Sequence, residues 1–427
     1  MTIFERRESQ VRSYCRTFDA VFDRAIGSTM YDENGRAYID FFAGAGSLNY
    51  GHNHPLLKQA LLDYLNGDHV VHTLDLYTRA KRTFLERFES VILKPRCMDY
   101  RVMFTGPTGT NAVEAALKLA RKVTGRKGVV AFTNSFHGMT LGSLAVTGNR
   151  MKRAGAGLPL NHADSAPFDG YFGQDVDTLD QLQQVLDDGS AGWDLPAAFI
   201  VETVQGEGGV NVAQDTWLQR LAQIAKDRGI LLIVDDIQVG CGRTGPFFSF
   251  ESAGIEPDLV TLSKSLSGFG LPMAITLIRP ELDIWEPGEH NGTFRGHNPA
   301  FVTAAASLAF WETDQLSQKV TTDGAHISAR LDQMMAQSDG LISDVRGRGM
   351  IWGMEFKKPD LAANVSRMAF EQGLIIETSG AESQVLKLLP PLTINRDTLD
   401  LGLRIIESCL ASLLVSPMLT ASTGGHS

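Results

Sequence analysis

The chain has 427 residues, 43% hydrophobic and 21% charged, and its 49 acidic against 39 basic side chains give a formal charge of −10. That length exceeds what one core usually organises and predicts a large domain with a smaller companion. The composition excludes disordered and fibrous classes, and the acidic balance disfavours a nucleic-acid partner. Cys15, Cys97, Cys241 and Cys409 form no C-x-x-C pair, Met1-Thr2-Ile3-Phe4-Glu5-Arg6-Arg7-Glu8 is charged where a signal peptide is apolar, and no apolar run approaches a membrane span. We expect a cytoplasmic protein with no membrane partner.

In chain order, residues 31–40 read as a β-hairpin. His52, His54, His69 and His72 have metal-like spacings, but no matching Cys or carboxylates accompany them, so they read as hydrogen-bonded imidazoles and no metal is expected. Short apolar runs then recur at 101–104, 129–132, 198–201, 230–234, 259–262 and 274–278, with helical patterns at 111–123 and 216–228. Such runs, apolar on both faces, predict a largely parallel sheet between helices. A helical pattern over 299–336 leads to turn and strand patterns at 344–350 and 352–356, a helix at 362–372, and strands at 374–376 and 385–389. The expected organisation is an N-terminal segment, 1–54, contributing to a small α+β domain; a large α/β domain, 55–320; and a C-terminal part, 321–427, completing the small domain and ending in a disordered tail at 420–427.

Two strand ends carry the chemistry. The run 230–234 stops at Asp235, and the run 259–262 passes through Ser263 to Lys264. Alone, each is an ordinary residue at a strand end. Together they supply what pyridoxal phosphate needs at its two poles, a counter-ion for the pyridinium nitrogen and an amine for the aldehyde. Such a lysine also requires a site that lowers its pKa.

Strand 101–104 runs into Thr105-Gly106-Pro107-Thr108-Gly109-Thr110-Asn111 ahead of a helix. Thr108, Gly109 and Thr110 are a candidate phosphate cup, and a threonine-capped turn is the alternative. Gly240-Cys241-Gly242-Arg243-Thr244-Gly245 matches the dinucleotide pattern, but the residues after it do not resemble a helix, so that reading is rejected. Phe136 can stack on a cofactor ring or pack in the core.

With these residues in place, the chain resembles the class III, fold-type I pyridoxal phosphate aminotransferases over nearly its whole length. The marks are Asn49-Tyr50-Gly51-His52-Asn53-His54-Pro55, Phe136-His137-Gly138, Glu202-Thr203-Val204-Gln205-Gly206-Glu207-Gly208-Gly209, Asp235-Asp236-Ile237-Gln238-Val239-Gly240 with Gly242-Arg243-Thr244-Gly245, and Ser263-Lys264. The resemblance implies a mostly parallel seven-stranded sheet flanked by helices. It implies that Asp235 holds the pyridine nitrogen, Gln238 approaches the ring hydroxyl, Phe136 stacks on the ring, and Lys264 bonds the aldehyde. His137 and Glu202 belong to the same cofactor motifs, and Thr293 is to reach the phosphate of a neighbouring subunit, which makes the active unit at least a homodimer.

Within the family, Phe41-Phe42-Ala43-Gly44-Ala45-Gly46, residues 104–114 and Thr293-Phe294-Arg295-Gly296 resemble the enzymes that open ectoine biosynthesis. Their substrates are L-glutamate and L-aspartate 4-semialdehyde, their products 2-oxoglutarate and L-2,4-diaminobutyrate, and a potassium ion is a further cofactor this likeness raises. Other ω-amino acid aminotransferases, or an aminomutase or decarboxylase on the same fold, are the alternatives, with a non-catalytic binding protein behind them.

Ornithine-type relatives place arginines where this chain has Met139 and Lys387. Glu207, Arg295 and Lys387 are therefore the candidate substrate contacts, Lys387 as a point charge rather than a bidentate clamp; the resemblance implies that Glu207, which in relatives pairs with the arginine at the Lys387 position and releases it when glutamate arrives, pairs with Lys387 here.

Overall fold

Alternation along the apolar runs sorts their side chains onto two opposite faces. In this computed structural model, which describes residues 2–421 and side chains through residue 414, Val130, Phe132, Phe199, Val201, Leu232, Val234, Val260 and Leu262 enter one core, while Val129, Ala131, Ala198, Ile200, Leu231, Ile233 and Leu259 enter another with the helix Gly109–Thr124. A strand has period two, so burial on both faces requires apolar residues at every position.

The resulting sheet has seven strands, in the order Arg101–Phe104, Ile275–Ile278, Leu259–Leu262, Leu231–Asp235, Ala198–Val201, Val129–Phe132 and Ala163–Ala166. Ile275–Ile278 alone runs antiparallel, to both of its neighbours. Six strands match the predicted runs. The seventh, Ala-Asp-Ser-Ala, went unseen because as an edge strand it buries only Ala166 fully, and polar alternation on an edge carries little signal.

The hairpin is present as Thr29–Asp32 and Ala37–Asp40, paired antiparallel. It belongs to a four-stranded sheet with Phe22–Ile26 and with Leu374–Ile375, which runs parallel to Ile39 and Asp40. Chain from both ends thus shares one sheet. A second antiparallel sheet joins Ile342–Arg348, Ile351–Phe356, Val385–Leu388 and Glu377–Ser379, and the helix Pro359–Glu371 packs on it. The pattern over 299–336 divides into Asn298–Ser307 and Gln315–Ala336, joined by a short 3-10 turn. A domain boundary at 320 therefore falls inside the second helix. The last helix is Arg396–Ala421; the rest of the predicted tail, 422–427, lies outside the described residues.

The glycine-rich stretch 240–245 is a turn wrapped around a buried side chain. Arg243 is fully buried, donating to the carbonyls of Met350 and Pro390 and to Asn49 Oδ1. Burial drags its pKa down to about 9. This turn ties three distant segments together and, as the sequence argued, opens no helix. No helix among the described residues is long and apolar enough to cross a membrane.

Candidate active site

The carboxyl ends of the parallel strands meet along one edge of the large sheet. Asp235 ends its strand buried, with Oδ1 accepting from the Thr261 hydroxyl at 3.1 Å and the Ile237 amide at 3.2 Å. Its Oδ2 lies 2.7 Å from Nδ1 of buried His137. Burial opposes charge on that imidazole, but the hydrogen bond and negative charge of Asp235, joined by the charge of Glu202, outweigh it and raise the His137 pKa. Glu202, just past the strand Ala198–Val201, accepts from the Phe136 amide at 2.8 Å. Burial, with Asp235 adding, lifts its pKa to about 8, so it is largely protonated near neutrality.

Lys264 opens a 3-10 turn at the end of the neighbouring strand, in the left-handed region at φ 48°. A non-glycine residue there is strained, and such strain concentrates at functional positions. Burial lowers the Lys264 pKa, Lys387 adds to the effect, and Glu207 opposes it. The result favours the neutral, nucleophilic amine.

Close contacts bind the remaining candidates to this centre. A Cβ on Gly109 would stand 2.9 Å from Ile237 Cδ1, and one on Gly138 would stand 2.5 Å from Thr110 Oγ1. The start of the helix Gly109–Thr124 therefore abuts both the Asp235 turn and the Phe136 loop. At that start, Asn111 Oδ1 accepts from the Thr108 amide and hydroxyl at 3.2 and 2.8 Å, while the Thr110 hydroxyl engages Thr140 and Ser143 at 2.6 and 2.9 Å. The first amides of the helix have no partner within it and lie at the positive end of its dipole.

Gln238 donates to Ala45 O at 3.0 Å and Glu207 Oε1 at 3.1 Å, and its own Oε1 is buried without a partner, as is His137 Nε2. A buried carboxylate for a cationic ring nitrogen, an amine of lowered pKa, orphaned polar atoms and an anion cup fit pyridoxal phosphate, with Asp235, Lys264, Gln238 and residues 108–110 able to hold it.

Behind Lys264 lies a buried charge cluster. Lys387, on Val385–Leu388, has no exposed surface; its Nζ is 2.7 Å from Glu207 Oε1 and 3.0 Å from Glu377 Oε1. Burial alone would lift the Glu207 pKa, but Lys387 and Lys264 overturn that and hold it well below the ordinary carboxylate range. Glu377 has the opposite outcome, pushed by burial to about 7. Tyr14, half exposed overall, with its ring 5.0 Å from that of Phe42, has its hydroxyl shifted up by desolvation at that end and by the charges of Glu377 and Glu207.

Sequence reasoning missed Glu377 and Tyr14. The former carried a signal, a carboxylate within the apolar stretch Leu374-Ile375-Ile376 and its continuation; the latter sits in a segment without pattern.

Thr293 and Arg295 stand apart from the cluster. Thr293 is exposed, its carbonyl 2.7 Å from His72 Nε2, and Arg295 donates to His290 O and Asn291 Oδ1. Their segment is held against Thr73 and Leu74, where a Cβ on Gly296 would come within 1.9 Å of Leu74 O. The four clustered histidines have separate partners: His52 on Asp40, His54 against Phe310, His69 against Tyr64, and His72 on Thr293.

Fold and site together define a pyridoxal phosphate-dependent transferase. The family model for aminotransferase class-III matches residues 11–410, and the chain belongs to that family. Diaminobutyrate--2-oxoglutarate transaminase of Streptomyces avermitilis is 60% identical over 406 residues, covering 95% of this chain and 96% of that protein. The protein of the same name from Halalkalibacterium halodurans is 55% identical over 414 residues, 97% of each. Among solved structures, the ornithine aminotransferase of Toxoplasma gondii superimposes with a TM-score of 0.84 at 25% identity, over 97% of this chain and 94% of that one.

Proposed function

We propose that the protein transfers an amino group between L-glutamate and L-aspartate 4-semialdehyde, giving 2-oxoglutarate and L-2,4-diaminobutyrate, the opening step of ectoine biosynthesis. Relatives named for the diaminobutyrate reaction support this over nearly the whole chain. The observation that carries it is the buried Glu207–Lys387 pair next to Lys264.

When bound, pyridoxal phosphate supplies the electron-accepting ring that such chemistry needs. Asp235, braced by His137 and Thr261, would supply the negative charge for its ring nitrogen. Lys264 moves the proton at the reacting carbon. Glutamate brings a carboxylate directly on that carbon, and the semialdehyde brings none. Glu207 paired to Lys387 suits the semialdehyde; Glu207 swung aside exposes Lys387 to the glutamate carboxylate. One site thereby serves two substrates of different charge.

We further assign a homodimer. Val70, Val71, Leu74, Leu76, Tyr77 and Phe294 are exposed on one stretch of surface beside Thr293, and a second copy laid there buries them. A cytoplasmic location accords with four unpaired cysteines among the described residues.

The test is turnover of glutamate with aspartate semialdehyde against ornithine and 4-aminobutyrate, with Lys264→Ala as the blank. Comparable rates on ornithine would defeat the narrow assignment and leave the family intact.

A further inference from the structure

We propose that Glu377 is a positioning residue of the glutamate half-reaction: fixed opposite Lys387, it takes up a proton from solvent as the glutamate carboxylate arrives, and so frees that ammonium for the substrate. The inference rests on the reaction just assigned.

The geometry begins with sheet register. Glu377 and Lys387 are directly opposed partners on antiparallel strands, which sends their side chains to the same face. Both are buried, and Glu377 Oε1 lies 3.0 Å from Lys387 Nζ. The ammonium is nevertheless aimed elsewhere. Its hydrogen bond goes to Glu207 Oε1 at 2.7 Å, and Glu377 Oε1 is left buried without an aligned donor. Gly380, just past the strand of Glu377, donates to Glu207 O at 3.1 Å. The main chains of the two carboxylates are thus tied together, and any exchange of partners at Lys387 falls to side chains.

One ammonium already faces two carboxyl groups. A glutamate carboxylate on Lys387 makes three, with Glu207 displaced by no more than a side-chain length. A further negative charge in a buried site raises the pKa of the carboxyls around it, and the least strongly held takes the proton. Lys387 and Lys264 hold Glu207 ionised. Glu377, acted on by the same two lysines and by Glu207, is pushed by burial to about 7. Nothing else around it competes for a proton in that range. Lys387 is held charged between its two carboxylates, and the Tyr14 hydroxyl is shifted up and keeps its proton. The helix Pro359–Glu371, packed on the strand, fully buries Ala362, Val365, Ser366 and Ala369, none of which titrates. Diaminobutyrate reacts at a carbon that bears no carboxylate and makes no such demand.

The test is kcat/KM for glutamate divided by that for diaminobutyrate, followed on holoenzyme from about pH 6.5 to 8.5. The ratio cancels groups that serve both donors, Lys264 and Glu202 among them. In wild type it should fall roughly tenfold across that window, because taking a proton from solvent costs more as pH rises. Glu377→Gln cannot titrate, so its ratio should stay flat near the wild-type low-pH level, and Glu377→Asp should restore the slope. A flat wild-type ratio overturns the proposal whether or not the variants fold. So does a glutamine variant that loses activity on both donors alike and keeps the slope, which marks a merely structural role. If wild-type enzyme ignores diaminobutyrate, the assigned reaction fails on its own, and 4-aminobutyrate, which likewise reacts at a carbon bearing no carboxylate, replaces it as the reference.

Discussion

Lys387 Nζ stands 2.7 Å from Glu207 Oε1, and the charges of both act on Lys264. Lys387→Met leaves Glu207 and Glu377 buried with no cation between them, and an uncompensated buried charge costs on the order of 3–5 kcal/mol. We expect a fall in thermal midpoint together with a larger rise in KM for glutamate than for diaminobutyrate. Glu207→Gln works in the opposite sense: with Lys387 unmasked, the ratio of kcat/KM values shifts towards glutamate. Steady-state kinetics on both amino donors checks the pair, and parallel shifts on both substrates would sink the switching role.

Asp235→Asn keeps the shape of the site and removes the charge. Loss of one preorganised electrostatic contact costs about 10²–10³ in kcat, and pyridoxal phosphate should bind more weakly in an absorbance titration. His137→Phe should show a smaller loss of the same kind, because His137 acts through Asp235.

Glu202 titrates near 8 instead of its ordinary 4.5, chiefly through burial. The folded protein keeps that proton where the unfolded chain has released it, so this group's contribution is whole below about pH 4.5 and is lost as pH rises towards 8. Glu202→Gln cannot titrate. The thermal midpoint of the variant minus that of wild-type apoprotein should therefore grow between pH 5 and 8, by roughly a few degrees. A flat difference across that window would falsify the assignment.

Two glycines separate function from folding. A Cβ on Gly206 would lie 1.9 Å from Gln238 Oε1, the movable end of a side chain, whereas one on Gly208 would lie 2.1 Å from the backbone oxygen of Asn134. Gly206→Ala should fold, at a cost of about 1–3 kcal/mol, with Gln238 displaced and activity reduced. Gly208→Ala should lower soluble yield. Circular dichroism and specific activity of the two variants distinguish the cases.

Much of this was legible in the sequence because buried parallel strands must be apolar at every position, so the runs ending at Asp235 and near Lys264 announced themselves. Their chemistry was legible only jointly, since either charge alone is an ordinary residue at a strand end. The edge strand Ala163–Ala166 was not, since half of it meets solvent. Of the two partners of Lys387, the resemblance pointed to Glu207, which the structure places 2.7 Å away, and not to Glu377. Glu207 and Glu377 are 180 and 10 residues away in the chain, and only the sheet that pairs Glu377 with Lys387 brings the second one close. Long-range pairing of charges leaves no local pattern. The helix over 299–336 was read as one because the short turn at Leu308–Trp311 keeps the apolar content of its neighbours.

The reversed strand Ile275–Ile278 sets a ruler. It spaces Arg101–Phe104 two strand widths from Leu259–Leu262, roughly 10 Å, while Asp235 stands one width away on the other side. The distances from anion cup to amine to carboxylate are thus counted out in backbone hydrogen bonds, which no side-chain change can stretch. Met139 and Lys387 lie off that scale, on a loop and on the smaller sheet. Side chains there can change by single substitutions while the spacing of the strand ends stays fixed.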